Sequence, residues 1–182
     1  DNVLNPGVLV DPRPVDLDLR VPAARKVDVD LGFRYSDDGG NLTQAVHRCT
    51  GVGKCRADTT AVGGVMCPSY QATREEKDST RGRARALQEM LNGTLVTDSW
   101  RSKEVHDALD LCLSCKGCLS DCPTGVDMAT WKSEVLHQTY RGRLRPVAHY
   151  SLGRLPRWAA LASRAPRLVN NLTRIPGVAA TG

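Results

Sequence analysis

Residues 112–123 read CLSCKGCLSDCP, a run that places four cysteines ahead of a proline. The spacing C-x2-C-x2-C-x3-C-P is typical of ferredoxin loops, in which three thiolates hold one 4Fe-4S cluster and the fourth binds a second cluster. In such a loop we expect Gly117 to ease the backbone where it curls, and Pro123 to prevent a helix from continuing beyond Cys122. The run therefore predicts one cluster and requires another.

The ligands of the other cluster are expected upstream, in the stretch CTGVGKC at 49–55 and in the sequence MCP around Cys67. This stretch has the length of a C-x2-C-x2-C run, but its middle position is Val52. If the two runs share ligands in the usual way, each of the seven cysteines is used once. The predicted 4Fe-4S ligands are Cys67, Cys112, Cys115 and Cys118, and the predicted three-thiolate site consists of Cys49, Cys55 and Cys122.

The type of the three-thiolate cluster stays open at this stage. Three thiolates are enough for a 3Fe-4S cluster, whose missing iron would face the apolar Val52. A 4Fe-4S cluster would need a ligand other than cysteine, and His47 and water are the candidates. His47 also stands at a predicted helix end, where a protonated imidazole interacts favourably with the helix dipole. No residue of this segment is predicted to be catalytic.

The composition agrees with a fold organised around metal. The chain has 182 residues, of which 41% are hydrophobic but only 4% aromatic, so its core rests on Leu, Val and Ala. Neither a signal peptide nor an apolar run of membrane-spanning length is recognisable, and clustered cysteines in a reducing compartment more often bind metal than form disulfides. A cytoplasmic location is therefore expected.

Iron–sulfur clusters typically transfer single electrons, and two other functions compete with this one. Zinc also binds four thiolates, and a zinc module with a basic tail would suit nucleic acid, although zinc sites usually separate their cysteine pairs by a dozen or more residues. An iron open to substrate would instead act as a Lewis acid in a hydratase-type enzyme. Such a site calls for polar neighbours, and Val52 is apolar.

Helices are predicted around both cysteine runs, which gives a mainly α fold. The predicted N-terminal caps are Asn41, Ser79 or Thr80, Ser102 and Asp127, and the predicted stops are Gly93 and Gly142. Residues 1–40 are expected to form an extended linker with at most one short edge strand, and residues 41–145 a helical two-cluster domain. Prolines at 146, 156, 166 and 176 divide the tail at 146–182 into short helices.

The tail is also basic. From residue 141 onward the chain contains eight arginines and no Asp, Glu or Lys. Such a segment suits a membrane surface, nucleic acid or an acidic partner domain, or it is a solvated helical surface.

The cysteine runs resemble known families. CTGVGKC with a hydrophobic central residue resembles the iron–sulfur subunit of succinate dehydrogenase and fumarate reductase, whose alpha-helical ferredoxin domain holds a 3Fe-4S and a 4Fe-4S cluster, with the two runs in the opposite order. The sequence of the middle section resembles the iron–sulfur segment of bacterial FAD-linked oxidases of D-2-hydroxy acids. The resemblance includes the stretches GGVMCPSYQATREEKDSTRGRARALQEML and CLSCKGCLSDCPTGVDMATWKSE. The opening NVLNPGVLVDP resembles the end of their flavin portion.

The resemblance implies a function for the segment within a longer oxidoreductase. It would pass electrons one at a time from a reduced FAD, formed by oxidation of D-2-hydroxyglutarate, D-lactate or glycolate, to a downstream acceptor such as a quinone or an electron carrier. The FAD would bind upstream in the parent protein, not in this segment, and a cysteine-rich portion would follow. Nucleic acid is not an expected partner, and the parent is expected in the cytoplasm or at the inner face of the membrane. Arg81, Arg83 and Arg85 would offset cluster charge, dock the flavin portion or lie in solvent.

Overall fold

The computed structural model of the chain describes residues 29–58, 60–93 and 95–175, with the backbone alone at Thr60. These residues form α-helices, short 3-10 helices and turns, and no β-strand occurs among them. The mainly α class is therefore confirmed. The chain divides into two compact units, the first ending at Thr139 and the second beginning at Tyr140. The predicted linker lies mostly outside the described residues.

The first unit contains the helices that surround both cysteine runs. In its described part, the α-helices are α1 (Leu42–His47), α2 (Pro68–Thr73), α3 (Thr80–Asn92), α4 (Lys103–Asp110), α5 (Gly117–Asp121) and α6 (Met128–Thr139). The 3-10 helices are Ser36–Asp38, Lys54–Arg56, Thr60–Val62, Glu76–Asp78 and Ser99–Arg101.

Local capping interactions begin the helices where the sequence predicts. The Asn41 side chain accepts from the Thr43 amide at the start of α1, and Ser79 Oγ accepts from the Gly82 amide at the start of α3. Ser102 caps α4 in the same way. Gly93 ends α3 in the left-handed conformation at φ 68°. These four predictions are confirmed, because each depends on residues only a few positions apart.

Helix α3 is central to the core and contacts α1, α4 and α6. Its residues Ala84, Leu87 and Met90 are buried, and they pack with aliphatic side chains of the neighbouring helices. The apolar residues of this core are Leu42, Ala45, Val46, Met66, Tyr70, Ala84, Leu87, Met90, Val105, Leu109, Val126, Met128, Trp131 and Val135. The cysteines Cys55, Cys67 and Cys118 belong to the same cluster. The core and the cysteine sites are therefore continuous.

The segment at 29–40 is held against α6 by a buried carboxylate. Glu134 has no exposed surface, and its carboxylate accepts from the amides of Gly32 at 3.0 Å and Phe33 at 3.1 Å. The structure shows turns and a 3-10 helix here and no strand, while the rest of the predicted edge-strand region lies outside the described residues. A side chain from α6 thus binds backbone amides of this segment, as a neighbouring strand would in a sheet.

The second unit consists of short helices whose boundaries follow the prolines. They are α7 (Val147–Ser151), α8 (Leu155–Ala162) and α9 (Pro166–Thr173), with a 3-10 helix at Leu152–Arg154. Pro146 is the N-cap of α7, Pro156 lies in the first turn of α8, and Pro166 begins α9, as predicted. Pro176 lies outside the described residues. None of the described residues of these helices is buried.

Across the described ranges, we find no helix that combines the length and the apolar character needed to cross a membrane.

Candidate metal centre

One cavity of the first unit is lined by four cysteines, Cys67, Cys112, Cys115 and Cys118. It encloses about 320 Å³, part of it open to solvent. Cys67 immediately precedes α2, Cys112 follows the end of α4, and Cys118 lies in the first turn of α5. Cys115 is exposed, whereas Cys67 and Cys118 are buried. These are the four residues that the sequence groups as 4Fe-4S ligands.

A second cavity, of about 280 Å³ including space open to solvent, is lined by Cys49, Cys55 and Cys122. Cys49 follows α1, Cys55 lies in the 3-10 helix Lys54–Arg56, and Cys122 directly follows α5. Val52 lines this cavity as well. An apolar residue therefore lies at the position where a regular run would supply a third ligand. The Val52 side chain has no polar group that could bind a polar substrate.

Two short elements connect the cavities. Helix α5 carries Cys118 to the first cavity, and Cys122 at its end lines the second. At the start of α3, Thr80 lines both cavities. Its hydroxyl donates to Cys67 Sγ at 3.4 Å, and the next amide, that of Arg81, donates to Cys55 Sγ at 3.4 Å. The positive end of the α3 dipole is thus directed at sulfurs of both sites, where it stabilises negative charge.

The backbone around the cysteines adopts unusual conformations. Ser114 and Lys116, within the CLSCKGC run, are left-handed at φ 52° and 60°, and Cys67 is left-handed at φ 57°. Non-glycine residues rarely adopt this conformation, and such strain concentrates at functional sites. The expectation for Gly117 is wrong in its reason, since Gly117 lies in α5 and has no positive φ. A Cβ there would stand 3.0 Å from the Val65 carbonyl oxygen, so the glycine permits close packing.

Burial and hydrogen bonding change the acidity of the thiols. Burial raises the pKa of Cys118 to about 11, against an opposing hydrogen bond from the Met128 amide. Burial also raises the pKa of Cys49 and Cys55. The pKa of Cys122 is lowered, because hydrogen bonds from the Thr124 hydroxyl and the amides of 124–126 outweigh burial. Metal binding deprotonates such thiols, and the amide donors then stabilise the thiolates.

The donor set suits an iron–sulfur cluster. Each cavity offers soft sulfur ligands, and amide or hydroxyl donors lie beside the sulfurs, which is how proteins set cluster potentials. Among the described residues, no three His, Cys, Asp or Glu side chains are arranged to hold a single metal ion.

His47 is the predicted alternative ligand, and it lines a neighbouring cavity together with Cys49, Thr50 and Arg81. It is not among the described residues that line the three-cysteine cavity itself. Its Nδ1 lies 2.6 Å from the Thr43 carbonyl oxygen within α1. Its Nε2 is buried without a hydrogen-bond partner in the described structure. The position at the end of α1 is the one that the helix-dipole interpretation predicts.

The arginines of α3 occupy two different environments. Arg83 is only 2% exposed and lines the four-cysteine cavity, so the expectation of a solvated side chain is wrong for this residue. Arg81 is partly exposed and its guanidinium pairs with Glu76. The helical period contains the signal for Arg83, because Thr80, Arg83, Ala84 and Leu87 share the buried face of α3. Sequence reasoning missed two residues that contact Cys67 Sγ: the Thr80 hydroxyl donates to it, and the Asp78 carbonyl oxygen accepts from it at 3.3 Å.

Comparison with known proteins agrees with this site. Residues 45–126 match the family model described as a 4Fe-4S dicluster domain. The chain is 32% identical to D-2-hydroxyglutarate dehydrogenase of Pseudomonas putida over 209 aligned residues, which cover 93% of the chain and 20% of that protein. It is 26% identical to the Escherichia coli protein of the same name, with the same two coverages. The glycolate oxidase iron-sulfur subunit of Escherichia coli is 38% identical over 60 residues, which are 33% of this chain and 14% of that subunit.

The class follows from the fold and the site together: the first unit contains a 4Fe-4S dicluster domain of the helical ferredoxin type, which is an electron-transfer module that binds 4Fe-4S. The resemblance to the iron–sulfur segment of FAD-linked oxidases is confirmed by the relatives. The chain spans about a fifth of the length of its D-2-hydroxyglutarate dehydrogenase relatives, 20% in each comparison. No solved structure matched the chain significantly.

Proposed function

We propose that this segment passes electrons one at a time from a reduced FAD in the parent protein to a downstream acceptor. The grouping of seven cysteines into two adjacent cavities, four around one and three around the other, is the observation that carries the proposal. A reduced flavin holds two electrons, whereas each bound cluster would accept and release one. The dehydrogenase relatives support a D-2-hydroxy acid, such as D-2-hydroxyglutarate, D-lactate or glycolate, as the source of the electrons.

The ligand assignment is part of the proposal. Cys67, Cys112, Cys115 and Cys118 would hold a 4Fe-4S cluster, and Cys49, Cys55 and Cys122 a 3Fe-4S cluster or an incomplete 4Fe-4S cluster. Val52 on the wall of the second cavity supports the 3Fe-4S form.

The chain's own residues would control access and charge. Burial of Cys55, Cys67 and Cys118 excludes water from one side of each site. Cys115 is exposed, beside Leu113 with 70% of its surface exposed, and gives a redox partner a short approach to the four-cysteine site. Small contact surfaces are usual between redox partners, because the encounter must be brief.

The partners proposed are other portions of the same polypeptide and one acceptor. Residues 1–40 would form the end of an upstream flavin-binding portion and a linker, residues 41–145 would hold the clusters, and a cysteine-rich portion would follow residues 146–182. A quinone or an electron carrier would take the electrons, and nucleic acid would not bind. The parent would be cytoplasmic, or peripheral at the inner face of the membrane through the basic tail.

The test is electron paramagnetic resonance of the full chain, purified without oxygen, together with iron, sulfide and zinc analysis. A brown protein is expected, with one signal in the oxidised state that disappears on reduction and a second that appears on reduction. Two interacting signals that appear only on reduction would instead indicate two 4Fe-4S clusters. A colourless protein with stoichiometric zinc would refute the proposal.

A further inference from the structure

A fully buried guanidinium contacts the sulfur of a proposed ligand in the four-cysteine site. Arg83 is 2% exposed, and its Nη1 donates to Cys67 Sγ at 3.5 Å. Nε donates to the Ala108 carbonyl oxygen at 2.8 Å, and Nη2 donates to Ser69 Oγ at 2.9 Å. These bonds fix the guanidinium plane from α4 and α2, so the contact with the sulfur does not depend on a mobile side chain.

Arg83 lies near the buried carboxylate of Asp78, which also contacts other side chains. Asp78 has no exposed surface, and its Oδ1 lies 3.9 Å from Arg83 Nη2. The same carboxylate is closer to Lys77, whose Nζ lies 3.1 Å from both oxygens, and Oδ2 also accepts from the Thr73 hydroxyl at 2.8 Å. Asp78 therefore neutralises Arg83 only in part.

A buried guanidinium keeps its positive charge, because arginine is not deprotonated in proteins. A cation that is incompletely paired in the interior is costly unless another anion compensates it. The nearest candidate is the thiolate of Cys67, which also receives the Thr80 hydroxyl at 3.4 Å. As a free thiol, Cys67 instead donates to the Asp78 carbonyl oxygen at 3.3 Å. Two side-chain donors, those of Arg83 and Thr80, therefore converge on this sulfur.

We propose that Arg83 raises the reduction potential of the site formed by Cys67, Cys112, Cys115 and Cys118, and that Asp78 moderates this effect. The inference rests on the proposed function. Reduction adds one electron, and hence one negative charge, to a cavity that Arg83 lines. A fixed positive charge at the sulfur stabilises the reduced form more than the oxidised form. Arg83 acts through Cys67: it is a positioning residue that places a positive charge beside the sulfur of a proposed ligand.

The test is a redox titration of the full chain followed by electron paramagnetic resonance, with Arg83→Gln, Arg83→Lys and Asp78→Asn variants. Arg83→Gln is expected to lower the reduction equilibrium constant of the four-cysteine site about tenfold, which is about 59 mV for one electron. Asp78→Asn keeps the shape of the side chain but removes the opposing charge, so it should shift the potential upward. Arg83→Lys keeps the charge and should remain closer to the unmodified protein than Arg83→Gln.

Opposite shifts separate an electrostatic role from a structural one, because loss of packing alone gives no reason for them. Arg85→Gln is the matched control: it removes an arginine from the same helix, but Arg85 is partly exposed and pairs with Glu89. Arg83 is not among the residues that line the three-cysteine cavity, so the signal of that site serves as an internal reference.

The outcomes distinguish this inference from the proposed function. Unmodified protein without any cluster would refute the proposed function. The unmodified protein holds clusters if the proposed function is right. If Arg83→Gln and Asp78→Asn then both leave the potential of the four-cysteine site unchanged, the role of Arg83 is refuted and the proposed function is not. If Arg83→Gln fails to hold the cluster, the other two variants decide. A higher reduction potential in Asp78→Asn with little change in Arg83→Lys supports the proposal. A lower potential in Asp78→Asn overturns it.

Discussion

Val52 is the residue that distinguishes the two cysteine sites. It lines the three-cysteine cavity, yet 68% of its surface is exposed. Because little of the side chain packs against the core, replacing it changes the ligand set of the site more than the packing of the fold. Its identity is therefore expected to determine how many irons the second site holds.

Val52→Cys should convert the three-thiolate site into a four-thiolate site. The new thiol completes the C-x2-C-x2-C spacing, so one additional iron per chain is expected. The signal of the oxidised state should be lost, and a signal that appears on reduction should replace it. Val62→Cys, at a residue 82% exposed that does not line the cavity, is the control and should leave both iron content and spectrum unchanged. Unchanged iron in Val52→Cys would contradict the 3Fe-4S assignment.

Cys115→Ser tests a proposed ligand that contributes nothing to the core. Cys115 is exposed, so exchanging sulfur for oxygen costs little packing energy. If Cys115 is a ligand, the variant should lose the 4Fe-4S signal and give less soluble protein, because oxygen is a harder ligand than thiolate. Ser114→Ala in the same loop is the control and should retain the cluster. A Cys115→Ser protein with full iron and unchanged solubility would show that the residue does not bind metal.

Sequence reasoning succeeded for single residues where the interaction is local. The caps at Asn41, Ser79 and Ser102 follow from hydrogen bonds that reach two or three residues. It failed at Gly117, because the close approach of Val65 comes from a distant loop that the run itself does not contain. The left-handed backbone at Ser114 and Lys116 is equally unpredictable from local preference, since neither residue favours it.

Helix α3 and the preceding 3-10 helix Glu76–Asp78 form the element on which both sites depend. The α3 N-terminus supplies donors to Cys67 and Cys55. The 3-10 helix passes over the first turn of α3 at Gly82, where a Cβ would lie 2.0 Å from the Glu76 carbonyl oxygen. The sequence predicts α3 and its cap, but it does not predict this contact, because the 3-10 helix has no recognisable signal.

Gly82→Ala should therefore displace the start of α3. The added methyl group meets backbone rather than a flexible side chain, so a loss of about 3 kcal/mol in the free energy of unfolding is expected. Denaturant unfolding of the full chain measures this loss. Gly153→Ala is the matched control, since nothing lies within 4 Å of a Cβ there. Equal stability of both variants would show that the Glu76 backbone can move away without cost.

In the first unit, the cysteine sites and the apolar core form one continuous structure. Cys55, Cys67 and Cys118 are part of the apolar core, and the cysteines come from the connections that follow α1 and α4, from the start of α2 and from α5. The sequence predicts this dependence from its low aromatic content of 4%. The exposure of the described helices of the second unit agrees with one of the alternatives that the sequence leaves open, a solvated helical surface.

Removal of iron should unfold the first unit. Oxidation of the protein with ferricyanide in the presence of an iron chelator strips the clusters and leaves up to seven thiols facing two empty cavities. Since metal binding and folding are coupled when ligands hold the core together, helical circular dichroism should fall and limited proteolysis should accelerate within residues 29–139. The second unit, whose described helices are exposed, should be cleaved at similar rates before and after treatment. It therefore provides the internal control. A chain that keeps its helicity and protease resistance without iron would contradict this prediction. It would show that the apolar core around Leu87 and Trp131 is sufficient to stabilise the fold without clusters.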